Sequence, residues 1–151
     1  MAKQSAGILL YRKQASQLQV LLVHPGGPFF TKKDAGSWTI PKGEYPESEA
    51  PLDAAIREFE EETGYRPSGS FIPLQAIKQK GGKVVQCWAV SGELDPAGIV
   101  SNTFELEWPP RSGKKRSYPE VDKAAWFTLS EAKQMMNERQ AAFLDELETL
   151  L

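Results

Sequence analysis

Gly43-Glu-Tyr-Pro-Glu-Ser-Glu-Ala-Pro-Leu-Asp-Ala-Ala-Ile-Arg-Glu-Phe-Glu-Glu-Glu-Thr-Gly-Tyr65 is the stretch from which the rest of the chain can be read. Glu58, Glu60, Glu61 and Glu62 crowd five consecutive positions of an expected helix. At helical spacing Glu58, Glu61 and Glu62 share about 100° of arc on one face. Leu52, Ala55, Ile56, Phe59 and Thr63 gather on another face, centred roughly 120° away. One helix therefore carries both an apolar stripe for a core and a dense carboxylate patch. Like charges at three- and four-residue spacing repel by about a few tenths of a kcal/mol per pair. A divalent cation among the carboxylates makes the cluster favourable. Oxygen ligands at this density suit a hard ion, Mg²⁺ first, with Mn²⁺ or Ca²⁺ after it. On spacing alone, a solvated glutamate-rich face is the competing reading, because Glu is a good helix former.

The same stretch resembles the signature of the Nudix hydrolases. That signature runs glycine, five residues, glutamate, seven residues, arginine-glutamate, an apolar residue, any residue, two glutamates, any residue, glycine, and an apolar residue. Gly43, Glu49, Arg57, Glu58, Phe59, Glu61, Glu62, Gly64 and Tyr65 stand at those positions. At background residue frequencies such a match at one start site has a chance on the order of 10⁻⁸. Phe59 and Tyr65 are aromatic where the family more often has aliphatics, which touches packing and leaves the chemistry alone.

The resemblance implies an α/β fold: an α/β/α sandwich with a mixed β-sheet between helices, a single domain spanning residues 1–151. It also implies a pyrophosphohydrolase, an enzyme that hydrolyses acid anhydrides in phosphorus-containing compounds. Mg²⁺, with Mn²⁺ as substitute, would be held by Glu58, Glu61 and Glu62 with the Gly43 carbonyl close by. Arg57 would orient the glutamates and Glu49 would support them. The base that takes a proton from water is not the same residue throughout the family, and Glu58, Glu61 and Glu120 are its candidates here. The run Trp38-Thr39-Ile40-Pro41-Lys42-Gly43-Glu44 is similar to branches that cleave dinucleoside polyphosphates, diphosphoinositol polyphosphates or mRNA 5′ ends. The favoured expectation is cleavage of a nucleoside diphosphate linked to another moiety, as in a dinucleoside polyphosphate or nucleoside triphosphate. A nucleotide-sensing domain without turnover is one alternative, which retention of every metal ligand argues against; a diphosphoinositol polyphosphate or RNA 5′-end pyrophosphohydrolase, the latter meeting nucleic acid through Arg111–Arg116, is the other.

Composition bounds the partners. A chain of 151 residues, 40% hydrophobic with four Trp, fits one domain with one core. A net charge of −2 provides no global attraction to nucleic acid or to anionic membranes, so local basic residues and metal must handle an anionic substrate. A small nucleotide or polyphosphate is the expected partner. Cys87 is the single cysteine, which forbids an intrachain disulfide and makes a reducing compartment the default. Gly7–Tyr11 is too short for a signal-peptide core or a membrane span, and a cytoplasmic location is expected.

Along the chain, Ser5–Lys13 and Leu18–His24 read as strands joined by a polar link. His24-Pro25-Gly26-Gly27-Pro28 breaks regular structure, and Phe29 and Phe30 follow in the loop. These two aromatics either cap the core or stack on a base. Ser37–Pro41 reads as a short strand, and Lys42 after it as a phosphate contact. Ser48 is the expected helix N-cap and Gly64 the left-handed stop. Phe71–Lys80 and Lys83–Leu94 read as strands around a Gly81-Gly82 turn, with Cys87 and Trp88 in the core. Thr103–Trp108 alternates like a half-buried strand. Arg111, Lys114, Lys115 and Arg116 read as a basic loop, either solvated or set to meet a polyphosphate. Glu120, with Asp122 second, is the candidate for an added metal-binding or base carboxylate. Ala124–Phe127 reads as a strand, Thr128–Glu131 as a capping box, and the remainder as one interrupted helix or two short ones. His24, the sole histidine, excludes a two-histidine metal centre and reads as structural.

Overall fold

A computed structural model describes residues 4–79 and 81–151. Strands β1 (Gln4–Gln14) and β2 (Gln17–Pro25) form an antiparallel hairpin at the centre of a seven-stranded sheet. Both are runs of apolar residues because both of their faces are covered. Ala6, Ile8 and Leu10 of β1 and Leu21 of β2 face a cluster built with Ala54, Ala55 and Phe59. Leu9, Val20 and Leu22 belong to the cluster on the other face, built with Ala132, Met136, Phe143, Leu144 and Leu147. The period of two along each strand thus divides one sheet between two helical layers.

Those layers are α1 (Pro51–Thr63) on one side and α2 (Leu129–Met135) with α3 (Ala141–Leu150) on the other. Strand β3 (Lys42–Glu44) pairs antiparallel with β1 immediately before α1. Short strands β4 (Ile72–Pro73) and β5 (Ile77–Lys78) pair with β6 (Val84–Ser91), which runs parallel to β1. A separate antiparallel ribbon joins β7 (Thr103–Glu107) to β8 (Lys115–Pro119). The last strand, β9 (Val121–Thr128), closes the main sheet against β2. The central sheet is therefore mixed and lies between helices, as the sequence resemblance implies.

Local details differ from the sequence reading in five places. The N-cap of α1 is Ala50, with no side-chain cap bond. The fixed φ of Pro51 suits the first helical position, which leaves Ser48 too early to cap. Ser37–Pro41 is not a strand: Trp38 and Thr39 make only isolated bridges, to Met136 and Val23, and the paired strand begins at Lys42. Phe71–Lys80 is split into β4 and β5, since Pro73 has no N–H to continue a ladder; Lys80 lies outside the described residues. The basic cluster is divided, with Arg111 and Lys114 in the ribbon turn and Lys115 and Arg116 on β8. Trp88 is partly buried at the edge of the core. Cys87 is buried as expected, with its thiol shifted well up by burial. The Thr128–Glu131 capping box is present, Gly64 is left-handed with φ 79°, and the C-terminal segment resolves into two helices. Phe59 and Tyr65, the two aromatic departures from the family pattern, meet edge to face at 6.2 Å. Among the described residues no helix is long and apolar enough to cross a membrane.

Gly7 is the tightest point between β1 and the approach to β3. A Cβ there would lie 2.6 Å from the Pro41 carbonyl oxygen and 2.7 Å from Lys42 Cβ. Gly7→Ala is expected to cost about 1–3 kcal/mol by overpacking, read as a lower urea midpoint with an unchanged slope.

Candidate active site

Helix α1 turns its carboxylates toward β3 and the segment between β8 and β9. Arg57 organises them. Its Nε and Nη2 donate to the two Glu49 oxygens at 2.9 and 2.8 Å, a fork-to-fork pair. Its Nη1 donates to Glu58 Oε1 at 2.8 Å and to Glu61 Oε2 at 2.9 Å. One guanidinium therefore spans three carboxylates, and its hydrogen bond to Glu49 holds that carboxyl below the usual range.

Glu58, Glu62 and Glu120 converge, each offering an oxygen within 4.8 Å of the others. Burial, then the charge of Glu61, pushes the Glu58 carboxyl up. Glu62 is pushed up to about 8 by burial and then by Glu120 and Glu58, although the Lys42 backbone N–H donates to it. Glu120 is raised by burial and by Glu61. Three carboxyls all driven toward their protonated forms at one point constitute a site short of positive charge. A hard divalent cation fits this donor set, which is all oxygen and dianionic or more when ionised. Gly43 completes the cradle: a Cβ there would collide with the Glu58 carboxylate, so only glycine lets that side chain lie against the β3 backbone.

Backbone hydrogen bonds bring Glu120 to this point from a distant part of the chain. Asn102 N donates to the Glu61 carbonyl at 2.7 Å and Glu120 N to the Asn102 carbonyl at 2.8 Å. Gly26 N then donates to the Glu120 carbonyl at 2.9 Å. Gly26 has to be glycine, because a Cβ would run into the Pro119 carbonyl oxygen.

A cavity of about 490 Å³ opens beside the carboxylates, where Lys42 is shared by both. Phe30 and Lys33 line it from the β2–β3 loop, and Gln79, Asn137 and Gln140 from the opposite side. Burial lowers the Lys42 ammonium pKa. Gln140 is buried and its carbonyl accepts from Ile40 N at 3.0 Å. His24 is also buried. Its ring nitrogens face Asp122 Oδ1 at 2.8 Å and the Lys33 carbonyl at 2.6 Å, which fastens the loop to the sheet edge. Asp122 is thereby engaged away from the carboxylate trio.

The structure brings together Gly43, Glu58, Glu62, Glu120 and Lys42 among the residues singled out from sequence. Glu61 lies outside the trio and is held by Arg57. Phe29 and Phe30 part company: Phe30 lines the cavity, and Phe29 meets Trp108 on the ribbon. Arg111, Lys114, Lys115 and Arg116 are exposed on that ribbon and line no part of the cavity. Sequence reasoning missed Gln79, Asn137 and Gln140. The one available signal was that Asn137 and Gln140 interrupt the apolar run from Met135 to Phe143.

The chain is similar in structure to an Ap4A hydrolase of C. elegans in a binary complex. The TM-score is 0.70 at 20% identity, covering 97% of this chain and 96% of that one. It is also similar to the NUDIX domain of NrtR from Shewanella oneidensis complexed with ADP ribose, with a TM-score of 0.69 at 19% identity, covering 100% and 90%. A mutT/nudix family protein from Listeria innocua matches with a TM-score of 0.62 at 17% identity, covering 98% and 92%. At these identities the likeness shows the fold alone. Comparison with curated proteins gives no match. The family model for the NUDIX domain matches residues 1–147, nearly the whole length, and so the chain belongs to the Nudix family.

Proposed function

We propose that this Nudix hydrolase is a single-domain, cytoplasmic, Mg²⁺-dependent enzyme. It cleaves a diphosphate bond in a nucleoside diphosphate linked to another moiety, with a dinucleoside polyphosphate or nucleoside triphosphate as substrate. The observation that carries the reading is the convergence of Glu58, Glu62 and Glu120 beside a cavity that shares Lys42. Ap4A and ADP ribose, named with the similar structures, are both nucleotides of this linked kind.

Glu58, Glu62 and Glu120 would hold the cation, with Mn²⁺ as a substitute. When bound it neutralises phosphate oxygens and lowers the pKa of a water beside them. The chain's own residues supply position and proton transfer. Arg57 keeps Glu58 and Glu61 from swinging apart by holding both from one guanidinium. Glu120 lies outside the Arg57 clamp, which leaves it free of that ion pair to take the proton of the attacking water. Lys42, at the seam between carboxylates and cavity, meets the phosphate that crosses from one to the other. Phe30 stacks on the base, and the amides of Gln79 and Asn137 are available to its polar edge. Water adds to one phosphorus as the bridging P–O bond breaks, releasing two phosphate-ended products.

A panel of nucleoside triphosphates, dinucleoside polyphosphates, nucleotide sugars and inositol pyrophosphates, each with Mg²⁺, tests this. Glu62→Gln and Glu120→Gln are each expected to lower turnover at least about 100-fold, as loss of a metal ligand or base does in such sites. Preference for an inositol pyrophosphate would overturn the nucleotide substrate. Thermal protection by a nucleotide without turnover would favour a sensor.

Stability should carry the same signature. A carboxyl whose pKa rises on folding binds its proton more tightly in the folded state. The metal-free protein therefore loses stability as pH climbs from about 4.5, the unfolded value, to about 8 at Glu62. The expected loss is at most about 5 kcal/mol. Saturating Mg²⁺ is expected to abolish it, and Glu62→Gln to reduce it to the part left by Glu58 and Glu120, in thermal melts with and without chelator.

A further inference from the structure

Phe29 and Phe30 are adjacent in sequence and serve opposite sides of the loop. Phe30 lines the cavity with Lys33 and Lys42. Phe29 meets Trp108 edge to face, with centroids 5.2 Å apart and planes at 80°. Phe29 remains 58% exposed, so the pair is a surface feature and core packing does not account for it. Trp108 follows β7 directly, and the alternation of that strand puts Phe104, Leu106 and Trp108 on one face of the ribbon. Tyr118 and Arg116 of β8 pair with Phe104 and Leu106 and so share that face. Phe104 and Tyr118 lie 6.0 Å apart, and Phe104 approaches Gly27 at the root of the loop. The result is a half-exposed aromatic surface with cations at its edge.

The ribbon joins this surface to the carboxylates by a path other than the cavity, with Trp108 at the ribbon end opposite Glu120, one strand length away. Glu120 follows β8 immediately, and its carbonyl accepts from Gly26 N in the same loop that carries Phe29. The carboxylate trio is thus linked to two recognition surfaces: the cavity through Lys42, and, along β8, the ribbon through Glu120. A nucleoside triphosphate has one planar end and needs one stacking site. A dinucleoside polyphosphate has two planar ends separated by a polyanion, which matches two aromatic surfaces with acid-bound metal and basic residues between and beside them. We propose that the Phe29–Trp108 surface of the ribbon binds the second base of a two-ended substrate, with Arg116 on the same face meeting its phosphates. This inference rests on the nucleotide-hydrolase reading above and narrows its substrate to the two-ended class.

The test compares KM for diadenosine tetraphosphate and for ATP in wild type, Phe29→Ala, Trp108→Ala and Phe30→Ala, all with Mg²⁺. Base–aromatic stacking is worth enough that Phe29→Ala and Trp108→Ala are expected to raise the diadenosine tetraphosphate KM roughly tenfold more than that for ATP. Phe30→Ala should raise both alike. Phe29 is largely exposed, so its replacement keeps the measurement valid if Trp108→Ala disturbs the ribbon; Trp108→Phe should restore most of the lost selectivity. Turnover of both substrates with an unchanged KM ratio in Phe29→Ala would overturn the second site and leave the hydrolase reading standing. Turnover of neither substrate by wild type would remove that reading, and this inference with it.

Discussion

The site depends on mutual repulsion held in check. Glu58, Glu62 and Glu120 approach within 4.8 Å, where ionised carboxylates repel and burial penalises each of them. Two devices keep the arrangement from relaxing. Arg57 ties Glu58 and Glu61 to Glu49 with bonds of 2.8 to 2.9 Å, so helix α1 cannot splay its own carboxylates. The backbone path from Glu61 through Asn102 to Glu120 and Gly26 carries the third carboxylate into place with rigid peptide groups. A divalent cation among the three would relieve that crowding.

The sheet exists to hold these parts in register. β1 is buried on both faces, with α1 packed on one side and α2 and α3 on the other, so the position of α1 is set by the apolar cluster it shares with β1. β3 pairs with β1 and leads into the loop before α1, which fixes Gly43 and Lys42 against the helix. The cavity lies at the junction of the β2–β3 loop with the α2–α3 turn, which are tied together by hydrogen bonds from Gly36 N and Trp38 N to the Met135 carbonyl and from Asn137 N to the Trp38 carbonyl. His24, fastened to Asp122 and to the Lys33 carbonyl, keeps that loop from drifting off the sheet edge.

Much of this was legible in the sequence, for physical reasons. The helix, its carboxylate face and its left-handed stop follow from spacing over 13 residues and one glycine. The two central strands announced themselves as continuous apolar runs. Glu120 was reachable as a carboxylate beyond the helix, yet its contact with Glu62 depends on a chain of backbone hydrogen bonds that no local pattern encodes. Glu61 shares the helical face of Glu58 and Glu62, as spacing places it, and its charge raises both Glu58 and Glu120. The guanidinium of Arg57, four residues earlier, decides where its carboxylate goes. Gln79 comes from one part of the chain and Asn137 and Gln140 from another, and they meet only through tertiary packing. Ser37–Pro41 misled because its β-like composition serves isolated bridges and buried side chains rather than a ladder.

The central claim is that Glu58, Glu62 and Glu120 form one cation site. The most direct test is an anomalous difference map from a crystal of the protein soaked in Mn²⁺. The account requires a peak bounded by oxygens of those three residues, lost in Glu62→Gln. A peak bound by Glu60 or the exposed ribbon carboxylates, with none at the trio, would contradict it.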